Sequence, residues 1–139
     1  PGTCVLLAED NELNREIVVE LLSMFNITAV CAVNGREAVE RFETDPPGTY
    51  ALILMDIQMP VKNGYEAARE IRSSGMERIS ELPIYAMTAD AFSEDVKSAR
   101  LAGMNGHLAK PISIEQLKKA LVSCCIWKKK NQWEDIGLR

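Results

Sequence analysis

No stretch of this chain approaches the roughly 20 consecutive apolar residues that a membrane-crossing helix needs, and its start does not resemble a signal peptide. Direct membrane insertion of this segment is therefore not expected, and a cytoplasmic location is. An excess of basic residues is also missing. Sixteen Lys and Arg stand against 20 Asp and Glu, for a formal net charge of -4, which argues against nucleic acid or an anionic membrane as the main partner. A local basic cluster does occur at Lys128, Lys129 and Lys130. Zinc-type ligand spacing is missing too. The four cysteines (Cys4, Cys31, Cys124, Cys125) include no C-x2-C pair, and the single histidine, His107, has no cysteine close by in sequence. Four reduced, mostly buried thiols are expected.

What is present is ordinary for a globular protein: 139 residues, 47% hydrophobic and 26% charged, enough for one domain and little more. The expected division is a domain over residues 1–126 and a weakly periodic tail or helix extension over 127–139. The first residue is Pro1, not Met, as in a segment cut from a longer protein.

Short apolar runs alternate with segments of helical period. The runs are Cys4–Ala8, Thr28–Ala32, Ala51–Met55, Pro83–Met87 and Gly106–Ala109. They are too short for typical helices, and several are continuously apolar, as strands covered on both faces by helices are. Between them, Leu13, Ile17, Leu21 and Phe25, with Val18 and Leu22, form one stripe, capped by Asn11 or Asn14. Ala38, Val39 and Phe42 follow Asn34-Gly35, and Ala68 and Ile71 follow Asn63-Gly64. Phe92, Val96 and Ala99 form a fourth stripe; Ile114, Leu117, Leu121 and Cys124 form a fifth, opening at Ser113 with Glu115 and Gln116 in its first turn. Five strand-then-helix units predict an α/β fold with a doubly wound, five-stranded parallel sheet and five flanking helices.

In such a fold the reactive groups gather in loops at the carboxyl ends of the strands. The loops after the first, third, fourth and fifth strands hold Glu9-Asp10, Asp56, Thr88 and Lys110. Three carboxylates in one cleft stay ionised only beside a cation. Few oxygen ligands, completed by water and a phosphate oxygen, suit Mg²⁺ better than a caged Ca²⁺. A carboxylate beside such an ion can attack phosphorus and form an acyl phosphate, with a lysine neutralising charge and a hydroxyl bonding a phosphoryl oxygen. Each residue alone has a plainer explanation: Asp56 or Thr88 as a cap, Lys110 as a surface cation. Their joint placement at four strand ends is what points to chemistry.

The blocks Leu7-Ala8-Glu9-Asp10-Asn11, Leu54-Met55-Asp56-Ile57-Gln58-Met59-Pro60, Met87-Thr88-Ala89 and Ala109-Lys110-Pro111-Ile112 resemble the signature blocks of the response-regulator receiver family. The resemblance runs from about Val5 to Leu121. It implies strand order 2-1-3-4-5, with Asp56 as phosphoacceptor. It also implies Glu9, Asp10, Asp56 and the backbone carbonyl of Gln58 around Mg²⁺, and Thr88 and Lys110 on the phosphoryl group. A cis Lys110-Pro111 bond is implied, and Gly64 falls where unusual backbone angles are expected. Where many receivers carry Tyr or Phe as a rotating switch, with Thr88 as its partner, this chain has His107. That residue reads either as a half-exposed histidine on a short strand or as a smaller, more polar, pH-sensitive switch.

The wording around Asp10-Asn11, Gln58-Met59-Pro60-Val61 and Gly103-Met104-Asn105-Gly106-His107 is similar to receivers of hybrid sensor histidine kinases, and no helix-turn-helix output domain follows. The implied role is a phosphorelay intermediate rather than a transcription factor, whose partners are a histidine kinase domain, a histidine phosphotransfer domain, or both. A stand-alone response regulator is the alternative. An aspartyl-phosphate phosphatase of the haloacid-dehalogenase type would carry a second Asp where Gln58 stands. A flavodoxin-like carrier would have a Ser/Thr/Gly-rich loop in place of Glu9-Asp10-Asn11-Glu12, and a phosphate-independent pseudo-receiver would lack an acidic residue or the lysine. Docking of a phosphotransfer partner is expected beside the site, on first-helix flanking positions such as Asn14 and Arg15, because the stripe is expected to pack inward.

Overall fold

The apolar runs form strands, as expected: β1 (Thr3–Ala8), β2 (Ile27–Ala32), β3 (Leu52–Asp56), β4 (Ile84–Thr88) and β5 (Gly106–Ala109). In the structure, a computed structural model describing residues 3–76, 78–89 and 93–126, they pair in parallel in the order β2-β1-β3-β4-β5. Registers such as Leu7 against Leu54, Asp56 against Met87 and Thr88 against Ala109 bring the carboxyl ends of the strands level with one another. The expected Phe92 packing and the tail 127–139 lie outside the described residues.

Alternation along each strand sorts the core into two layers. Leu6, Ala8, Ile53, Met55, Ile84 and Ala86 point to one face, where Ala38, Val39, Phe42, Ala67, Ala68, Ile71 and Ala99 cover them. These belong to α2 (Gly35–Thr44), α3 (Gly64–Arg72) and α4 (Ser93–Leu101). Val5, Leu7, Leu52, Leu54, Met87 and Leu108 point to the other, against Val18, Leu22, Leu117 and Leu121 of α1 (Glu12–Ser23) and α5 (Ile114–Ser123). Burial on both faces explains why the strands read as continuously apolar.

The helix starts follow local chemistry. Of the two candidate caps for α1, Asn11 does the work, its side chain accepting from the Asn14 N–H at 2.9 Å. Asn34 and Ser113 cap α2 and α5 in the same way. Asn63 and Glu66 close a reciprocal capping box on α3.

Two expectations are corrected. The stripe of α1 does not pack inward as a whole: Leu13 and Ile17 are 65% and 41% exposed, while Val18 and Leu22 are buried. Adjacent helical positions lie 100° apart, so seating the Val18/Leu22 pair on the sheet turns the Leu13/Ile17 pair toward solvent. The cysteines are free thiols, but Cys4, Cys31 and Cys124 are half-buried and Cys125 is exposed. Cys31 lies on the edge strand β2, and Cys124 and Cys125 lie past the last turn of α5.

Candidate functional site

The chain passes from β1 outward to β2 and then returns to β3 on the other side, so the crevice between the carboxyl ends of β1 and β3 is the place where strand order reverses. Asp56 is the last residue of β3 and Thr88 the last of β4, while Glu9 and Lys110 directly follow β1 and β5. Four segments distant in sequence thus deliver polar side chains to one end of an otherwise apolar sheet.

Glu9, Asp56 and Thr88 are buried, and Asp10 is exposed at the rim. Ligand oxygens of Glu9, Asp10 and Asp56 lie within 4.8 Å of one another, so the acidic cluster can hold a metal ion. The Lys110 Nζ lies 3.0 Å from Asp56 Oδ2 and 3.1 Å from Glu9 Oε1. Gln58 lines two clefts. One, of about 490 Å³, also contains Asp10, Asn63 and Tyr65; the other, of about 100 Å³, contains Thr88 and Lys110.

One ammonium cannot neutralise two buried carboxylates. Burial pushes the Asp56 carboxyl up to about 7; the Lys110 hydrogen bond opposes this and the neighbouring Glu9 charge reinforces it. Burial alone would lower the Lys110 ammonium, but hydrogen bonds and charge from Asp56 and then Glu9 outweigh it and hold its pKa above the ordinary value. The charge deficit at Asp56 fits a divalent cation with hard oxygen ligands.

The loops are braced from behind. The Glu9 Oε2 accepts from the Asn11 N–H at 3.1 Å, and its backbone carbonyl accepts from Arg15 Nη1 at 2.8 Å. Arg15, expected to flank a docking surface, is therefore half-buried and tied to the acidic loop. Gly64 does not adopt a positive φ. Its requirement is space: a Cβ there would stand 2.3 Å from the Asp56 carbonyl oxygen, which the Gly64 N–H region approaches through its bond to Ile57 O at 2.8 Å. The unusual angle belongs instead to Val61, with φ of 70°. There the Lys62 N–H bonds the Pro60 carbonyl at 2.7 Å, closing a tight γ-turn beside the site. The Lys110-Pro111 bond is cis, as expected.

His107 stands apart from the acidic cleft. Its side chain is exposed on β5 and lines a groove of about 240 Å³ with Val96, Ala99 and Arg100 of α4. Sequence reasoning placed Arg15 only at a docking flank and missed its bond to Glu9; it also missed Arg72, whose guanidinium donates to Gly103 O, Ile79 O and Asn105 Oδ1 at 2.8, 2.6 and 2.7 Å. Neither carries a local signal, because each partner is chosen by the fold.

A five-stranded 2-1-3-4-5 parallel sheet with an acidic triad, a hydroxyl and a lysine at its carboxyl end has the architecture of a receiver-type α/β module. The chain belongs to the response regulator receiver domain family, whose model matches residues 5–122. It is 38% identical over 117 residues to the peroxide stress-activated histidine kinase mak1 of Schizosaccharomyces pombe, covering 84% of this chain and 7% of that protein. It is 36% identical over 138 residues to hybrid signal transduction histidine kinase K of Dictyostelium discoideum, covering 94% of this chain and 11% of that protein. The chain thus spans a small fraction of the curated relatives it matches. Among solved structures, the receiver domain of sensor histidine kinase PA1611 from Pseudomonas aeruginosa, which has magnesium coordinated in its active site cleft, superposes with a TM-score of 0.80 at 35% identity over 91% of this chain and all of that one. The receiver domain of Ssk1 from Saccharomyces cerevisiae, crystallised with the histidine phosphotransfer protein Ypd1, gives 0.78 at 34% identity over 91% of each chain. No helix among the described residues is long and apolar enough to cross a membrane.

Proposed function

We propose that this receiver takes a phosphoryl group from a phosphohistidine onto Asp56 in a Mg²⁺-dependent phosphorelay. The observation that carries the reading is the convergence of Glu9, Asp10 and Asp56 oxygens within 4.8 Å, with Lys110 Nζ 3.0 Å from Asp56. Glu9, Asp10, Asp56 and the Gln58 carbonyl would hold Mg²⁺, which would supply positive charge to the phosphoryl oxygens. The Asp56 carboxylate oxygen forms a bond to phosphorus as the phosphorus–nitrogen bond to the donor imidazole breaks, giving an acyl phosphate and a neutral donor histidine after protonation. Lys110 offsets charge on the transferred group, and the Thr88 hydroxyl donates to one of its oxygens. The added charge would draw Thr88 toward Asp56, and His107 would shift beside α4 in response.

We place the domain within a larger cytoplasmic-facing hybrid sensor histidine kinase, exchanging phosphate with a histidine phosphotransfer domain. The exposed Leu13 and Ile17 support this, because Ile17 lines a groove with Asn14, Pro111 and Ile112 that runs to Glu9 and Lys110. An apolar rim beside a reactive carboxylate suits a partner helix carrying a histidine. The test is incubation with acetyl phosphate and Mg²⁺: wild type should gain one phosphoryl group, and Asp56→Asn none. Equal labelling of the mutant removes Asp56 from the role. Label transfer from phosphorylated domain to isolated phosphotransfer domains then tests the relay assignment.

A further inference from the structure

Among the described residues β5 is an edge strand, with β4 on one side and no strand on the other. Successive residues of a strand direct their backbone N–H and C=O groups to opposite sides. The Lys110 N–H bonds Thr88 O at 2.8 Å, so the N–H and C=O of Ala109 face the open edge. Gln116, in the first turn of α5, fills that edge. Its Oε1 accepts from the Ala109 N–H at 2.8 Å, and its Nε2 donates to Ala109 O at 3.1 Å and to Pro111 O at 3.3 Å. One side-chain amide therefore takes the place of a sixth strand and grips the backbone immediately before and after Lys110. Its own backbone N–H is held by the Ser113 cap at 3.2 Å, which anchors the amide to the start of the helix.

We infer that Gln116 is a positioning residue for Lys110, fixing the short β5–α5 connection so that the ammonium is aimed at Asp56. The inference rests on the phosphoacceptor reading above. Lys110 carries a long, flexible side chain, and its hold on two carboxylates depends on where its backbone is set. Restraining the peptide units on both sides of the residue removes freedom that the side chain itself cannot remove. Ser113 and Gln116 make the restraint local to one helical turn, so it survives changes elsewhere on α5.

The test uses Gln116→Met, which keeps length and helix propensity and removes the amide, alongside Gln116→Glu, which keeps one acceptor but sets a carboxylate against two carbonyls. Hydrogen exchange at the Ala109 amide should be slow in wild type and fast in Gln116→Met. Phosphorylation by acetyl phosphate should slow by about tenfold, the scale of losing one or two hydrogen bonds that hold a reacting group. The distinguishing readout is a double-mutant cycle: in a Lys110→Ala background, adding Gln116→Met should cause no further slowing, because the positioned group is gone. Full additivity of the two changes, or wild-type labelling by both Gln116 variants while Lys110→Ala is slow, would overturn the positioning role and leave Asp56 as acceptor. Failure of the wild type to label at all would overturn the acceptor reading and this role together.

Discussion

Replacing Asp56 with Asn should stabilise the metal-free domain at neutral pH while abolishing its chemistry. Asp56 is 3% exposed, shares its cleft with the buried Glu9, and has one ammonium partner, Lys110, which it shares. Its carboxyl pKa of about 7, against an ordinary 3.8, corresponds to about 4 kcal/mol of destabilisation once ionised. The unfolded chain releases this proton near pH 4 and the folded chain near pH 7. The contribution of Asp56 to stability is therefore greatest below pH 4, falls between about pH 4 and 7, and is level above that window. Asn removes the charge but leaves a buried amide without the carboxylate's full set of hydrogen-bond partners, which offsets about half of the gain. The net expectation is about 2 kcal/mol at pH 8, or about 8 °C in melting temperature for a domain of this size. Thermal unfolding followed by circular dichroism in the presence of a chelator, at pH 5 and pH 8, measures this directly. The advantage of Asp56→Asn should shrink at pH 5, where wild type is largely protonated at that site, and should shrink at pH 8 when Mg²⁺ is added to wild type. A variant less stable than wild type at pH 8, or an advantage of equal size at both pH values, would refute the charge-crowding account.

Asp10→Ala should weaken Mg²⁺ affinity and slow phosphorylation together, as read by metal titration and acetyl phosphate labelling, because Asp10 supplies one of the three convergent oxygens. Gly64→Ala should cost about 3 kcal/mol in urea unfolding, since its Cβ would meet the Asp56 carbonyl at 2.3 Å. Val61→Gly should stabilise by about 1 kcal/mol by relieving a β-branched residue from positive φ, with unfolding midpoint as the measure. Ile17→Glu should slow transfer to a phosphotransfer domain by about tenfold with little change in melting temperature, because Ile17 is 41% exposed at the rim of the site.

The strands, the helix caps and the residues of the site were legible in the sequence because their signals are local. Continuous apolar runs such as Leu52–Met55 report burial on two faces, and Asn34, Asn63 and Ser113 announce the turns they cap. Glu9, Asp56, Thr88 and Lys110 stand at run ends, where the topology of a parallel sheet must bring them together. Tertiary structure alone decided which side of the α1 stripe meets the sheet. Leu13 and Ile17 satisfy the same helical period as Val18 and Leu22, and only packing against Leu7 and Leu54 selects between them. It also decided that Gly64 is needed for clearance from a carbonyl eight residues earlier and not for its own dihedral angles. Arg15, Arg72 and Gln116 find backbone carbonyls through the fold, and a polar side chain carries no mark in sequence of the carbonyl it will meet.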